Sequence, residues 1–167
     1  MKSAIAAAML ALAAGGCAYA PAPPRTAGST QGLPPPLVRP PAEAAYQLVA
    51  ANPDAARIIR GLEARGLRPV PDDVSAVDQL ASAPGYVWRV GPDWLHIHSY
   101  RSRPPAEAAA QGFVMQMAAR SQIIDWVRTP RLFQCRSAVA LYLGDSPQAL
   151  TVLTYLCGPP VWQKGAP

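Results

Sequence analysis

The chain is short of most of what would announce a reaction. Its 167 residues include 2 histidines, 3 cysteines and 2 phenylalanines, and charged side chains make up only 15%. No G-x-S-x-G elbow, Walker-type phosphate loop, G-x-G-x-x-G turn or H-E-x-x-H helix occurs. Their absence removes the nucleophile, phosphate-cradle, dinucleotide and zinc-peptidase arrangements that those spacings build. Asp72, Asp73 and Asp78 cluster in a loop-like stretch, without the paired-carboxylate geometry of a glycosidase. The expectation is a protein that is not an enzyme and uses no cofactor. The net charge of +5 is carried almost wholly by arginine, and no run of five or more basic residues is present. A nucleic-acid partner is therefore not expected. Nor does any apolar stretch reach the roughly 20 residues that cross a bilayer.

What the chain does have begins at its first residue. The segment MKSAIAAAMLALAAGGC puts one charge at Lys2, an apolar run from Ala4 to Ala14, and two glycines before Cys17. That is the order of a secretory signal. Gly15-Gly16-Cys17 resembles the lipobox of bacterial lipoproteins, whose cysteine is lipidated and becomes the new N-terminus; Ala14 stands where leucine is commonest. Two other readings are an uncleaved transmembrane helix, for which the run is too short, and cleavage after Ala18-Tyr19-Ala20. The latter would leave Pro21 after the cut, where the peptidase tolerates proline poorly. The resemblance implies a signal peptide over residues 1–16 and a palmitate-type lipid anchor on Cys17, with the membrane as partner through that lipid. Each buried methylene contributes about 0.8 kcal/mol, so several acyl chains hold permanently. It also implies a cell-envelope location. Ala18, in place of an acidic residue after Cys17, implies the outer membrane, facing the periplasm, where a cell has two membranes.

Residues 17–41 form the lipidated N-terminus and a proline-rich tether. They bury too little apolar surface to offset ordering entropy, and proline biases them to extended PPII segments. A PxxP ligand for a partner is the alternative reading. Residues 42–160 carry the folded domain, and 161–167 read as a loose tail apart from Trp162, a candidate to pack back. Residues 42–51 have helix-forming composition. Asn52-Pro53-Asp54 then reads as an N-cap, a proline at the first helical position and an acid in the first turn. Ala55, Ile58, Ile59 and Leu62 share the buried face, and Gly66 is the stop.

Residues 67–70 are a short strand candidate. Residues 86–90 and 94–100 read as a hairpin turning at Gly91-Pro92, with Trp88 opposite Leu95 and Tyr86 opposite Ile97. Pro104-Pro105 opens a helix to about Arg120, with Phe113 and Met117 on its buried face, and residues 123–128 are another strand candidate. Residues 133–143 and 149–157 read as a final hairpin around Gly144-Asp145-Ser146-Pro147. The order, two αββ-like units, predicts an α+β two-layer sandwich, an antiparallel sheet of hairpins with two helices on one face.

Several of these segments together resemble a group of small bacterial lipoproteins. They are Leu62-Glu63-Ala64-Arg65-Gly66, Pro84-Gly85-Tyr86-Val87-Trp88-Arg89-Val90, the strand at 94–100, the helix at 105–110, and residues 139–145 with Gly158-Pro159-Pro160. The likeness covers about 100 residues and consists of turns, strands and caps, so it implies fold and location and brings no catalytic residue. His96, His98, Cys135 and Cys157 depart from the group's pattern.

With Cys17 taken by lipid, Cys135 and Cys157 remain, in what export makes an oxidising compartment. A hairpin centred on Ser146 would put Leu143 opposite Ala149, Leu141 opposite Thr151, and Cys135 opposite Cys157. Facing residues lie about 4.5–5.5 Å apart, within disulfide range. A disulfide is predicted; a redox pair is the alternative, without a C-x-x-C to support it. His96 and His98 share one strand face, as two neighbouring zinc or copper ligands would. Asp93 lies on the opposite strand face, so a third ligand would have to come from Glu107 or Asp125 through tertiary contact, and a periplasmic metal-binding protein is the alternative reading of function. The same face carries Trp94 and Tyr100, with Arg89 beside them. Arg89, Trp94, His96, His98 and Tyr100 therefore form the candidate partner surface, suited to a glycan, peptidoglycan or an envelope protein.

Overall fold

The computed structural model describes residues 42–75, 77, 80–120 and 126–165. The expected signal peptide, Cys17 and the tether lie outside the described residues, as do Asp78 and Asp125. A short helix α1 (Ala42–Ala50) leads into α2 (Pro53–Glu63). The side-chain oxygen of Asn52 accepts from the N–H groups of Asp54 and Ala55, each at 3.0 Å, and Pro53 needs no partner in the first turn. The Asn52 side-chain nitrogen Nδ2 donates to the carbonyls of Tyr100 and Ser137, so this cap also ties α2 to distant chain. Ala55, Ile58, Ile59 and Leu62 are buried, as their spacing implies.

Strands β1 (Pro69–Val74), β2 (Gly85–Val90) and β3 (Asp93–Ser99) follow, then α3 (Arg103–Arg120), β4 (Pro130–Cys135), β5 (Ala138–Leu143), α4 (Pro147–Cys157) and the two-residue β6 (Trp162–Gln163). The sheet runs β1-β2-β3-β5-β4-β6, and every neighbouring pair is antiparallel. The fold is α+β with an open antiparallel sheet. In the β2–β3 hairpin Trp88 stands opposite Leu95 and Tyr86 opposite Ile97, the register predicted from the turn. Trp162 does pack back, its ring 5.3 Å from that of Phe113, edge to face.

The last hairpin is not where composition placed it. Residues 147–157 are helical: the Ser146 hydroxyl accepts from the Ala149 N–H, and Pro147 occupies the first turn. Ala149, Val152 and Leu153 are buried and Leu156 packs beside them, a 3.6-residue period hidden under β-branched composition. The real hairpin spans 130–143, taking in the stretch read as a single strand, with its turn at Arg136-Ser137. Arg136 adopts φ 55°, and Ser137 donates from both its N–H (3.1 Å) and its hydroxyl (2.6 Å) to the Asp54 carboxylate. The turn is thus held by the first turn of α2, with no glycine or asparagine to mark it. Residues 126–128 do not form a strand, and the rest of the expected 123–128 strand, like residues 121–122, falls outside the described residues.

Helices cover both sheet faces, where two helices on one face were expected. Along β5, Ala138, Ala140 and Tyr142 point into a core shared with α1, α2 and α4, while Val139 and Leu141 point into a second core under α3. Such two-sided burial requires apolar side chains at every position, and all five are fully buried. The sandwich therefore has three layers. No helix among the described residues is long and apolar enough to cross a membrane.

Cys135, at the end of β4, is bonded to Cys157 in the last turn of α4, with Cα atoms 4.4 Å apart. The pairing is the expected one, but it joins a strand to a helix rather than two facing strands. Removing it frees a segment with a sequence separation of 22 residues, which the chain-entropy model values at about 3 kcal/mol. Urea unfolding of the Cys135→Ser, Cys157→Ser double variant should show a stability loss of that order. An unchanged midpoint would mean the bond constrains nothing.

Candidate functional site

On the α3 side of the sheet, the register builds three rows across β2, β3 and β5: Gly85, His98 and Val139; Val87, His96 and Leu141; Arg89, Trp94 and Leu143. The first row is roofed by the segment leading into β2. A Cβ on Gly85 would lie 2.6 Å from atoms of the His98 ring, so glycine is what admits that imidazole. Helix α3 covers Val139 and Leu141. The corner that neither covers is a groove of about 350 Å³. Val87, Trp94, His96 and Leu143 form its floor, with Asp72 on the β1 side and Trp126, Val127 and Arg128 on the other.

The two histidines meet at one oxygen. The Ser75 hydroxyl lies 2.8 Å from Nε2 of His98 and 3.0 Å from Nδ1 of His96, and Nδ1 of His98 lies 3.2 Å from the Ala83 carbonyl. Burial lowers the pKa of His98, and burial together with the neighbouring His98 lowers that of His96 to about 4. Both rings are thus neutral near pH 7, each with one N–H. Ala83 offers only an acceptor, so the His98 proton sits on Nδ1 and its Nε2 accepts from Ser75. The serine has then spent its one hydrogen and must accept from His96 Nδ1. With Nδ1 donating to Ser75, Nε2 is the acceptor nitrogen of the His96 ring. The chain His96 to Ser75 to His98 to Ala83 orients His96, whose ring lines the groove.

A second buried network frames the groove from below. Asp93, 2% exposed, accepts from the Tyr142 hydroxyl at 2.5 Å and the Ser146 N–H at 3.3 Å, and Arg128 Nε stands 3.6 Å from its other oxygen. Gly144 leaves the space this carboxylate occupies. Asp93 thereby positions Arg128 at the groove wall while joining β3 to the start of α4. Burial and the Asp93 carboxylate both raise the Tyr142 pKa, so this phenol remains a donor.

The five-residue surface expected from sequence therefore divides. Trp94 and His96 line the groove half-buried, and Arg89 is exposed beside it, 3.9 Å from Asp72. His98 is fully buried and Tyr100 nearly so, its hydroxyl donating to the Leu80 carbonyl; neither presents a surface. For a metal, Asp93 is committed to Tyr142 and Glu107 to Arg103 at 2.6 Å. Among the described residues no three potential ligands gather. Sequence reasoning missed Ser75, Trp126 and Arg128, because their placement depends on loops with no periodicity to read. The chain matches no protein-family model, no curated protein and no solved structure.

The sign of the pH dependence follows from the depressed histidine. Between the unfolded value near 6.5 and the folded value near 4, the unfolded chain binds a proton that the folded chain does not. That contribution, on the order of 3 kcal/mol at most, is present above about pH 6.5 and lost as pH falls toward 4, with His98 acting in the same direction. NMR titration should place the His96 midpoint near 4, and urea midpoints should fall over the same range. A midpoint near 6.5 would contradict the hydrogen-bond chain.

Proposed function

We propose that the protein is a lipid-anchored bacterial envelope lipoprotein whose folded domain is a non-enzymatic binding module held off the membrane by the proline-rich stretch. The observation that carries this reading is the lead MKSAIAAAMLALAAGGC, with its lipobox-like Gly15-Gly16-Cys17. The disulfide supports it, since Cys135 and Cys157 are bonded to each other and such bonds persist in oxidising compartments. The groove supports the binding half of the reading: it is concave, largely apolar and holds a few convergent polar groups, as ligand sites do. A place on the outer membrane, facing the periplasm, belongs to the same proposal in a cell with two membranes. So does kinship with small bacterial lipoproteins, which rests on the turn and strand motifs.

Mass spectrometry of the full chain, produced in a bacterium with two membranes, tests the anchor. Cleavage directly before Cys17 with acyl chains on that residue is expected, and Cys17→Ser should leave the chain unprocessed and unacylated. A mature chain beginning at Pro21, or one retaining residues 1–16, would overturn the proposal.

A further inference from the structure

We infer that the groove over Val87, Trp94 and His96 is a saccharide site, taking one or two pyranose rings of an envelope glycan. This rests on the reading of the domain as an extracytoplasmic binding module and names the ligand class. Its floor is a sheet face, and the main-chain groups of β2 and β3 beneath it are committed to ladder hydrogen bonds with their neighbours. A peptide strand would find no backbone to pair with there, so recognition falls to side chains. Those side chains are two tryptophans, Trp94 and Trp126, offering flat apolar rings, together with three different polar groups. His96 supplies a neutral acceptor at Nε2, Asp72 a carboxylate one-third exposed, and Arg128 a guanidinium 38% exposed.

A pyranose ring has this complement. Its C–H face packs on an aromatic ring, and its rim carries hydroxyls that both donate and accept. The O–H donors suit His96 and Asp72, and the oxygens suit Arg128. An acyl chain would strip water from the Asp72 and Arg128 charges and leave the His96 acceptor without a partner, which is unfavourable. The volume of about 350 Å³ stands at the small end of ligand sites, roughly 300–1,000 Å³, and fits a short saccharide rather than a long polymer segment. His96 is also pre-oriented: the Ser75 and His98 hydrogen bonds fix its ring before any ligand arrives, which lowers the entropy lost on binding.

The test uses the full chain in detergent, titrated separately with an N-acetylglucosamine trimer, a glucose trimer, trialanine and zinc ion, with tryptophan emission and histidine ¹⁵N shifts as readouts. At least one sugar should saturate, and His96 Nε2 should move from the bare-nitrogen range toward that of a hydrogen-bonded acceptor. Trp94→Ala should abolish saturation. His96→Phe should weaken it about fivefold to tenfold, the loss of one hydrogen bond in a buried site. Tyr155→Ala, on the exposed side of α4, should bind as the parent does. No saturation by either sugar, saturation by trialanine or zinc alone, or sugar binding that leaves the His96 shift unmoved would each overturn the assignment. The shift readout needs no substitution, so it decides the matter even if Trp94→Ala fails to fold. Lipid on Cys17 without sugar binding would end this inference alone. Sugar binding by a chain never processed at Cys17 would instead end the anchoring proposal.

Discussion

Strand β5 is sealed on both faces and paired on both edges, and the rest of the domain is arranged to satisfy that. Ala138 to Tyr142 are fully buried, with β3 along one edge and β4 along the other. A strand in this position needs a helical layer on each side, which is why α3 lies opposite α1, α2 and α4. It also needs both ends tied down without exposed turns. At one end the Arg136-Ser137 turn is held by Asp54 and Asn52. At the other, Tyr142 reaches the buried Asp93 carboxylate, which also binds the Ser146 N–H at the start of α4. The disulfide adds a covalent tie between β4 and α4 on the same side of the sheet.

The groove is a consequence of how incompletely the second face is covered. Helix α3 packs over Leu132, Val139 and Leu141, while Leu80 and Ala83 close over the His98 end. Neither reaches the corner at Trp94. Two polar devices keep that corner structured. The Ala83 carbonyl sets the His98 tautomer and the Ser75 hydroxyl passes it on to His96, while Asp93 anchors Arg128 at the wall. Because both histidines are kept neutral, the groove presents an acceptor where a charged imidazole would have presented a donor.

Local signals were legible where the chemistry that makes the structure is itself local. Asn52-Pro53 was readable as a helix start, Gly91-Pro92 as a hairpin turn with its register, and Phe113 with Met117 as one helical face. Ser146-Pro147 carried the same cap-and-proline signal as Asn52-Pro53, but the threonines and valine that follow outweighed it in a composition-based reading. Side-chain propensity yielded there to the 3.6-residue spacing of Ala149, Val152, Leu153 and Leu156, which buries one face against α2 and β4. The Arg136-Ser137 turn was unreadable because its stabilising partner, Asp54, is over 80 residues away. The disulfide joins the expected cysteines without the hairpin that would have made them face each other, because α4 returns Cys157 to the end of β4. At the groove, alternation placed Trp94 and His96 on the correct face, but what roofs His98 and Tyr100 is tertiary and left no pattern along the chain.

If β5 is the sealed spine of the domain, amide hydrogen exchange of the full chain will reveal it. Exchange at Ala140 and Leu141, and at their β3 neighbours, should be the slowest in the protein and should proceed only through global unfolding. The amides of β1, an edge strand with Val70 and Val74 exposed, should exchange faster through local opening. Comparable rates in β5 and β1 would mean that β5 is not sealed.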